Sequence, residues 1–121
     1  MKVSLDGSST ASRSTILAAV ANAPVFGGGM RIAPQAKLDD GKLDVCIVRG
    51  MHVFKLFCLF PTVYFGKHLG FKEVEYAQIE TVRIETEHPF DVYADGEYIC
   101  KTPASFGIES GALKVIAPSL V

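Results

Sequence analysis

Asp91-Val92-Tyr93-Ala94-Asp95-Gly96-Glu97-Tyr98-Ile99-Cys100 is the stretch whose reading decides the fold. Asp-Gly suits the two central positions of a type I′ turn, where both residues take positive φ. β-branched and aromatic residues flank it on both sides, as strands prefer. The turn sets a register in which Ala94 pairs with Glu97, Tyr93 with Tyr98 and Val92 with Ile99. It also places Asp95 and Glu97 together at one hairpin tip.

Outward from this hairpin the same pattern recurs. Ser105–Glu109 and Ala112–Ala117 supply two further strands, joined through Ser110-Gly111. Glu75–Thr86 reads as one long strand with a change of phase: Ala77 and Ile79 share a face, then Val82 and Ile84 take the other parity, which predicts a bulge. Leu43–Arg49 alternates, with Leu43, Val45 and Ile47 on one face and Asp44, Cys46 and Val48 on the other. Lys2–Leu5 is a short strand that runs into a turn at Asp6-Gly7. Thr15–Asn22 has the length of a strand and the alanines of a helix, and both readings stay open. Residues 51–67 form the one helical segment: Phe54, Phe57 and Cys58 recur at helical spacing, and Pro61 is expected to split it into two short helices. Its aromatics are expected to cover the open face of a sheet, with contact to a lipid chain as the sharper alternative. Short strands with a turn about every eight to twelve residues argue for a mainly β fold, an antiparallel sandwich or partly open barrel.

The 121 residues fit a single domain, and 49% apolar content is enough to bury a core. A formal net charge of −1 gives no electrostatic basis for binding nucleic acid. Cys46, Cys58 and Cys100 form an odd set without a CxxC pair, which predicts reduced, partly buried thiols in a cytoplasmic protein. Met1–Leu5 is too short for a signal peptide. The most apolar run, 51–65, is broken by His52, Lys55 and Pro61 and falls short of the roughly 20 apolar residues of a spanning helix. Peripheral contact with the inner membrane face remains open to such a chain. The amino terminus enters mid-strand without capping or turn residues, so a piece of something larger is expected.

Two acidic turns are the candidate chemistry. Lys37-Leu38-Asp39-Asp40-Gly41-Lys42-Leu43-Asp44 gathers carboxylates around a glycine, and hard cations such as Mg²⁺ favour carboxylate and carbonyl oxygens. The plain alternative is a solvated hairpin end. At the Asp95-Gly96-Glu97 tip, a glutamate beside a turn can accept a proton from a hydroxyl or help hold magnesium; the plain alternative is an ordinary polar turn. The run Gly27-Gly28-Gly29 permits positive φ and close approach of another group, but matches neither GxGxxG nor a P-loop. His52, His68 and His88 lack metal-site spacing and read as structural or exposed.

The string Asn22-x-x-Val25-Phe26-Gly27-Gly28-Gly29-Met30-x-Ile32-Ala33-Pro34-x-Ala36-x-Leu38-Asp39-Asp40-Gly41-x-Leu43-Asp44-Val45 resembles the diacylglycerol-kinase-like family of bacterial lipid kinases, itself similar to sphingosine and ceramide kinases. The resemblance continues through Gly66-Lys67-His68, Ala94-Asp95-Gly96-Glu97, Pro103-Ala104-x-Phe106 and Gly111-Ala112-Leu113-x-Val115-Ile116-Ala117-Pro118. It implies a two-domain enzyme in which an amino-terminal α/β domain with a Gly-Gly-Asp-Gly-Thr motif binds ATP and a carboxy-terminal β-sandwich closes the cleft. In that frame Glu97 is the proton acceptor and Asp95 its neighbour in the magnesium network. Asp40, with backbone carbonyls near Lys37 and Lys42, resembles the family's second, structural metal site.

Nothing in this chain matches Gly-Gly-Asp-Gly-Thr, and Gly70-Phe71 stands where relatives often carry His-Pro. The expectation is therefore a single, truncated carboxy-terminal sandwich over 1–121 that is inactive alone. Its natural partners would be its own nucleotide-binding half and a lipid substrate. Two other readings are a non-catalytic lipid- or protein-binding module and a kinase of a soluble nucleotide, since NAD kinases share the two-domain plan. A partial sandwich also exposes apolar edges and faces, so a homo-oligomer is expected.

Overall fold

The computed structural model describes residues 1–9, 14–114 and 116. Asp6 and Gly7 both take positive φ, 48° and 85°, and fold β1 (Lys2–Leu5) back onto β2 (Ser8–Ser9). β3 (Thr15–Ala21) is a strand: its alanines pair antiparallel along β4 (Leu43–Arg49), and that ladder outweighs their helix propensity. After β4 come helix α1 (Val53–Val63), a 3₁₀ turn (His68–Gly70), β5 (Val74–Ile79), β6 (Thr81–Glu85), β7 (Asp91–Ala94), β8 (Glu97–Lys101) and β9 (Ala104–Gly107).

These strands form an antiparallel sheet in the order β2-β1-β6-β9, a second in the order β3-β4-β5, and the separate hairpin β7-β8. The two larger sheets share one core. Leu43, Val45 and Ile47 of β4 and Ile79 of β5 pack with Val3 of β1 and Val82 and Ile84 of β6. Burying such a side chain stabilises by about 1.5–3 kcal/mol, so this cluster outweighs any single surface contact. The other face of β4, Cys46 and Val48, is covered by Leu59 and Val63 of α1 and by Ile32, Ala33 and Ala36. The architecture is thus the expected mainly β antiparallel sandwich with one helix, and β4 is its central strand, buried on both faces.

The change of phase in 75–86 is real, but its cause is a crossing between sheets rather than a bulge. β5 belongs to one sheet and β6 to the other, with Glu80 between them. Ile79 and Val82 both point into the shared core; because inward reverses direction as the chain changes layers, the parity flips. Asp6 fastens this corner: its Oδ1 accepts the amides of Glu80 (2.9 Å) and Thr81 (2.8 Å), and its own amide donates to the Thr81 carbonyl at 3.0 Å.

Pro61 does not split the helix. It sits in the last turn of α1, where the missing amide and the ring's crowding of the Phe57 carbonyl affect only the end of the helix. His52 caps the start, its Nδ1 accepting the Phe54 amide at 3.4 Å, and Gly66 at φ 69° turns the chain out of the helix. The hairpin register holds for Ala94–Glu97 and Tyr93–Tyr98, then slips so that Val92 opposes Cys100 and Asp91 opposes Lys101. Ile99 is the extra residue. The strand expected over 105–109 is β9; within 112–117, residues 112–114 and 116 contain no strand, and 115 and 117 lie outside the described residues.

The three cysteines are free thiols, with Cys46 buried, Cys100 half-buried and Cys58 exposed, so partial burial fails for Cys58, which lies on the outer face of α1. Burial pushes the Cys46 thiol from 9.0 up to about 11. An unfolded chain would lose this proton near the lower value and the folded chain near the higher one. Stability from Cys46 is therefore present below about pH 9 and lost as pH rises towards 11, a change on the order of 2–3 kcal/mol. The melting temperature followed by circular dichroism should fall across that window, and the fall should be shallower in Cys46→Ala.

Candidate functional site

The acidic turn and the buried polar group beneath it are built as one unit. Asp44 interrupts an otherwise apolar strand and has no solvent exposure. A buried acid must find donors, and β5 supplies them: the Tyr76 hydroxyl donates to Asp44 Oδ2, and Gln78 Nε2 donates to the same oxygen at 3.2 Å. Asp44 Oδ1 is buried without a hydrogen-bond partner among the described residues. Burial, and then the facing Asp44 carboxyl, push the Tyr76 phenol up, so it stays a donor through the physiological range.

This network reaches the loop ahead of the turn. The Gln35 amide donates to the Tyr76 oxygen at 3.3 Å, and Gln78 Nε2 donates to the Gln35 carbonyl at 3.4 Å. His68, fully buried, holds the same loop from the other side, with Nε2 3.0 Å from the Ile32 carbonyl. The backbone entering Lys37–Lys42 is therefore set by groups on β5 and the 3₁₀ turn. Upstream, Gly27 (φ 57°) and Gly29 (φ 97°) close a tight loop whose ends, Phe26 and Met30, bridge through both amides.

Asp40 itself closes the turn, its Oδ1 accepting the Lys42 amide at 3.0 Å. Gly41 has φ 68°, and a Cβ there would stand 2.8 Å from Ser110 Oγ, so the turn abuts the Ser110-Gly111 corner. Among the described residues no three His, Cys, Asp or Glu side chains gather as a metal cluster. A cation at this turn would rest on the single Asp40 carboxylate, backbone carbonyls such as those near Lys37 and Lys42, and water. That donor set suits Mg²⁺, which commonly keeps several waters beside one or two carboxylates.

Asp95 and Glu97 share the tip of β7-β8, as the turn chemistry requires, with Asp95 at φ 51° and Gly96 at φ 83°. Both are exposed, and Glu97 has no hydrogen bond or ion pair among the described residues. The arm below is stiffened by Tyr93 against Tyr98, edge to face with centroids 6.1 Å apart. Its base is clamped where buried Thr102 meets Thr86 Oγ1, accepts the Phe90 amide through Oγ1 (2.9 Å) and donates its own amide to the Phe90 carbonyl (2.8 Å). Among the described residues no hydrogen bond or ion pair joins this tip to the Asp40 turn: the two acidic sites stand on separate elements.

The α1 aromatics do not cover a sheet. Leu59 and Val63 face inward, while Phe54, Phe57 and Phe65 are 77%, 72% and 73% exposed. The inner stripe meets Cys46 and Val48 with Leu59 and Val63. Asp44 with Tyr76, Gln78 and Gln35 is the group that sequence reading did not single out; the available signal was an acid inside a strand apolar on both faces.

Residues 1–117 match the family model described as the YegS C-terminal NAD kinase beta sandwich-like domain. The chain is 36% identical over 114 residues to a diacylglycerol kinase of Mycobacterium tuberculosis, covering 94% of this chain and 37% of that protein. It is 35% identical over 104 residues to a probable lipid kinase YegS-like of Chromohalobacter salexigens, covering 84% of this chain and 33% of that one. A solved Bacillus anthracis structure assigned as a diacylglycerol kinase superposes with a TM-score of 0.74 at 27% identity, over 91% of this chain and 38% of that chain. The chain thus spans about a third of the length of such relatives, and it belongs to the YegS C-terminal NAD kinase beta sandwich-like domain family.

Proposed function

We propose that this chain is the carboxy-terminal part of an ATP-dependent lipid kinase that phosphorylates a primary hydroxyl on a diacylglycerol-like lipid. The observation that carries the reading is the acidic tip Asp95-Gly96-Glu97, exposed and unengaged on an arm clamped at its base, in a chain 36% identical to a diacylglycerol kinase. A free carboxylate on a rigid arm can meet a hydroxyl offered by a second domain. In this reading Glu97 takes the hydroxyl proton, the lipid oxygen bonds to the γ-phosphorus of ATP, and the bond to the departing ADP oxygen breaks. Positioning and charge stabilisation supply most of such catalysis, so dividing the parts between two domains is chemically reasonable. Mg²⁺, when bound, neutralises phosphate charge beside Asp95, and a second ion at Asp40 would order the turn without touching ATP. ATP itself is held mainly by the nucleotide-binding half, so this chain alone is inactive. The enzyme would work from the cytoplasm at the inner membrane face.

The test is transfer of radiolabelled phosphate from ATP-Mg²⁺ to a panel of lipid alcohols, comparing this chain alone with the chain joined to its upstream coding region. Transfer only by the longer protein is the expected result. Absence of transfer from both, with no glycine motif upstream, would favour a non-catalytic lipid- or protein-binding module. In the active form, Asp40→Ala should raise the Mg²⁺ concentration needed for half-maximal rate, read from a magnesium titration.

A further inference from the structure

The outer face of α1 is apolar where a surface helix is normally polar. Val53, Phe54, Phe57 and Phe60 of α1, and Tyr64 and Phe65 just past its end, are all at least 44% exposed, while Leu59 and Val63 face inward. The charge beside them is mostly basic: Arg49 pairs with Glu75 and Lys55 with Glu73, which leaves Lys67 and Lys72 without an ion-pair partner among the described residues. From Val45 to Lys72 there is no Asp or Glu, while Arg49, Lys55, Lys67 and Lys72 all lie in that span of a chain whose net charge is −1. Lys55, Lys67 and Lys72 line one open depression with Gly70 and Phe71, between the helix and the 3₁₀ turn. Glu73 is drawn into this basic ground: its hydrogen bond with Lys55 and the charge of Lys72 hold its carboxyl below the usual range.

An aromatic face flanked by Lys67 and Lys72, with the nearby acid Glu73 already paired to Lys55, complements the interfacial zone of an anionic bilayer, where rings sit at the headgroup boundary and ammonium groups meet phosphates. We infer that the outer face of α1 and the lysine-lined depression beside it form a membrane-docking surface, with Phe54, Phe57 and Phe65 inserted and Lys67 and Lys72 on lipid phosphates. Preferring a bilayer over a protein partner rests in part on the lipid-kinase reading, because a bilayer-dissolved substrate must be met at its surface.

The test is sedimentation with vesicles, without ATP, of the 121-residue chain and of the chain joined to its upstream coding region. Vesicles of phosphatidylglycerol and phosphatidylcholine in equal parts are compared with phosphatidylcholine alone. Binding should favour the anionic vesicles and weaken at high salt. It should fall about tenfold or more in Phe54→Ser/Phe57→Ser, and about fivefold for each of Lys67→Ala and Lys72→Ala. These side chains are exposed, so the melting temperature should hold. The chain contains no tryptophan, so Phe57→Trp gives a single reporter whose emission should shift to the blue on anionic vesicles. No shift, or unchanged binding by the double serine variant, would overturn the inference. So would a dimer in sedimentation velocity that the serine variant dissolves, which would assign the face to a second copy. Vesicle binding without phosphate transfer would count against the kinase reading alone; transfer to a dispersed short-chain lipid without vesicle binding would count against docking alone.

Discussion

Glu97→Gln, made in the chain joined to its nucleotide-binding half, should lower lipid phosphorylation by about a hundredfold or more while leaving the melting temperature unchanged. Glutamine keeps the size and the turn but cannot take a proton, and losing a positioned general base typically costs 10²–10⁴ in rate. The two readouts separate because of where the side chain stands. The Glu97 side chain is exposed and makes no hydrogen bond or ion pair among the described residues, so replacing it breaks no side-chain contact. Surface changes of that kind shift stability by about 0.5 kcal/mol or less. Asp95→Asn should behave differently: asparagine also tolerates positive φ, so the turn survives, and the loss should be partly restored by raised Mg²⁺. Full transfer by Glu97→Gln would remove the proposed base.

The largest stability effect is expected at Asp44, whose side chain has no solvent exposure. Asp44→Ala removes the shared acceptor of Tyr76 and Gln78: the exposed Gln78 amide can turn to water, while the half-buried Tyr76 phenol loses the acceptor it was folded against. Each buried polar group left unsatisfied costs about 1–3 kcal/mol. Relief of the unpartnered Asp44 Oδ1 offsets part of this, and the lost packing of a fully buried side chain adds to it, so a net loss of about 1–3 kcal/mol is expected. Tyr76→Phe should cost less, because Gln78 still satisfies the Asp44 oxygen. Measured as a double-mutant cycle in urea, the two changes should be strongly non-additive, since both delete the same bond. Additive losses would mean that the bond contributes little. The consequence for function is local: with Gln35 released, the Asp40 turn should become more susceptible to proteolysis and its magnesium response weaker.

The parts legible in the sequence were those governed by neighbouring residues. Asp6-Gly7 and Asp95-Gly96 announced turns because each needs positive φ at adjacent positions, and both adopt it. The alternation in Leu43–Arg49 sorted its side chains correctly into two faces, each of which meets its own cluster. The acidic tip was legible for the same reason: the turn alone brings Asp95 and Glu97 together. Where tertiary contacts decide, local pattern misled. α1 is apolar almost all round, so spacing alone could not say which stripe faces inward; packing against Cys46 and Val48 took Leu59 and Val63 and left the phenylalanines outside.

By itself, then, the sequence determined the turns, most of the strands they separate, the β class and the shared hairpin tip of Asp95 and Glu97, because each follows from φ preferences and a period of two. Only the tertiary structure decided that the chain changes sheets at Glu80, that Asp44 is clasped by Tyr76 and Gln78 from the next strand, and that the helix shows its aromatics outward. Each of these depends on what lies across a layer, and a partner 32 or 34 residues away along the chain leaves no trace in local spacing.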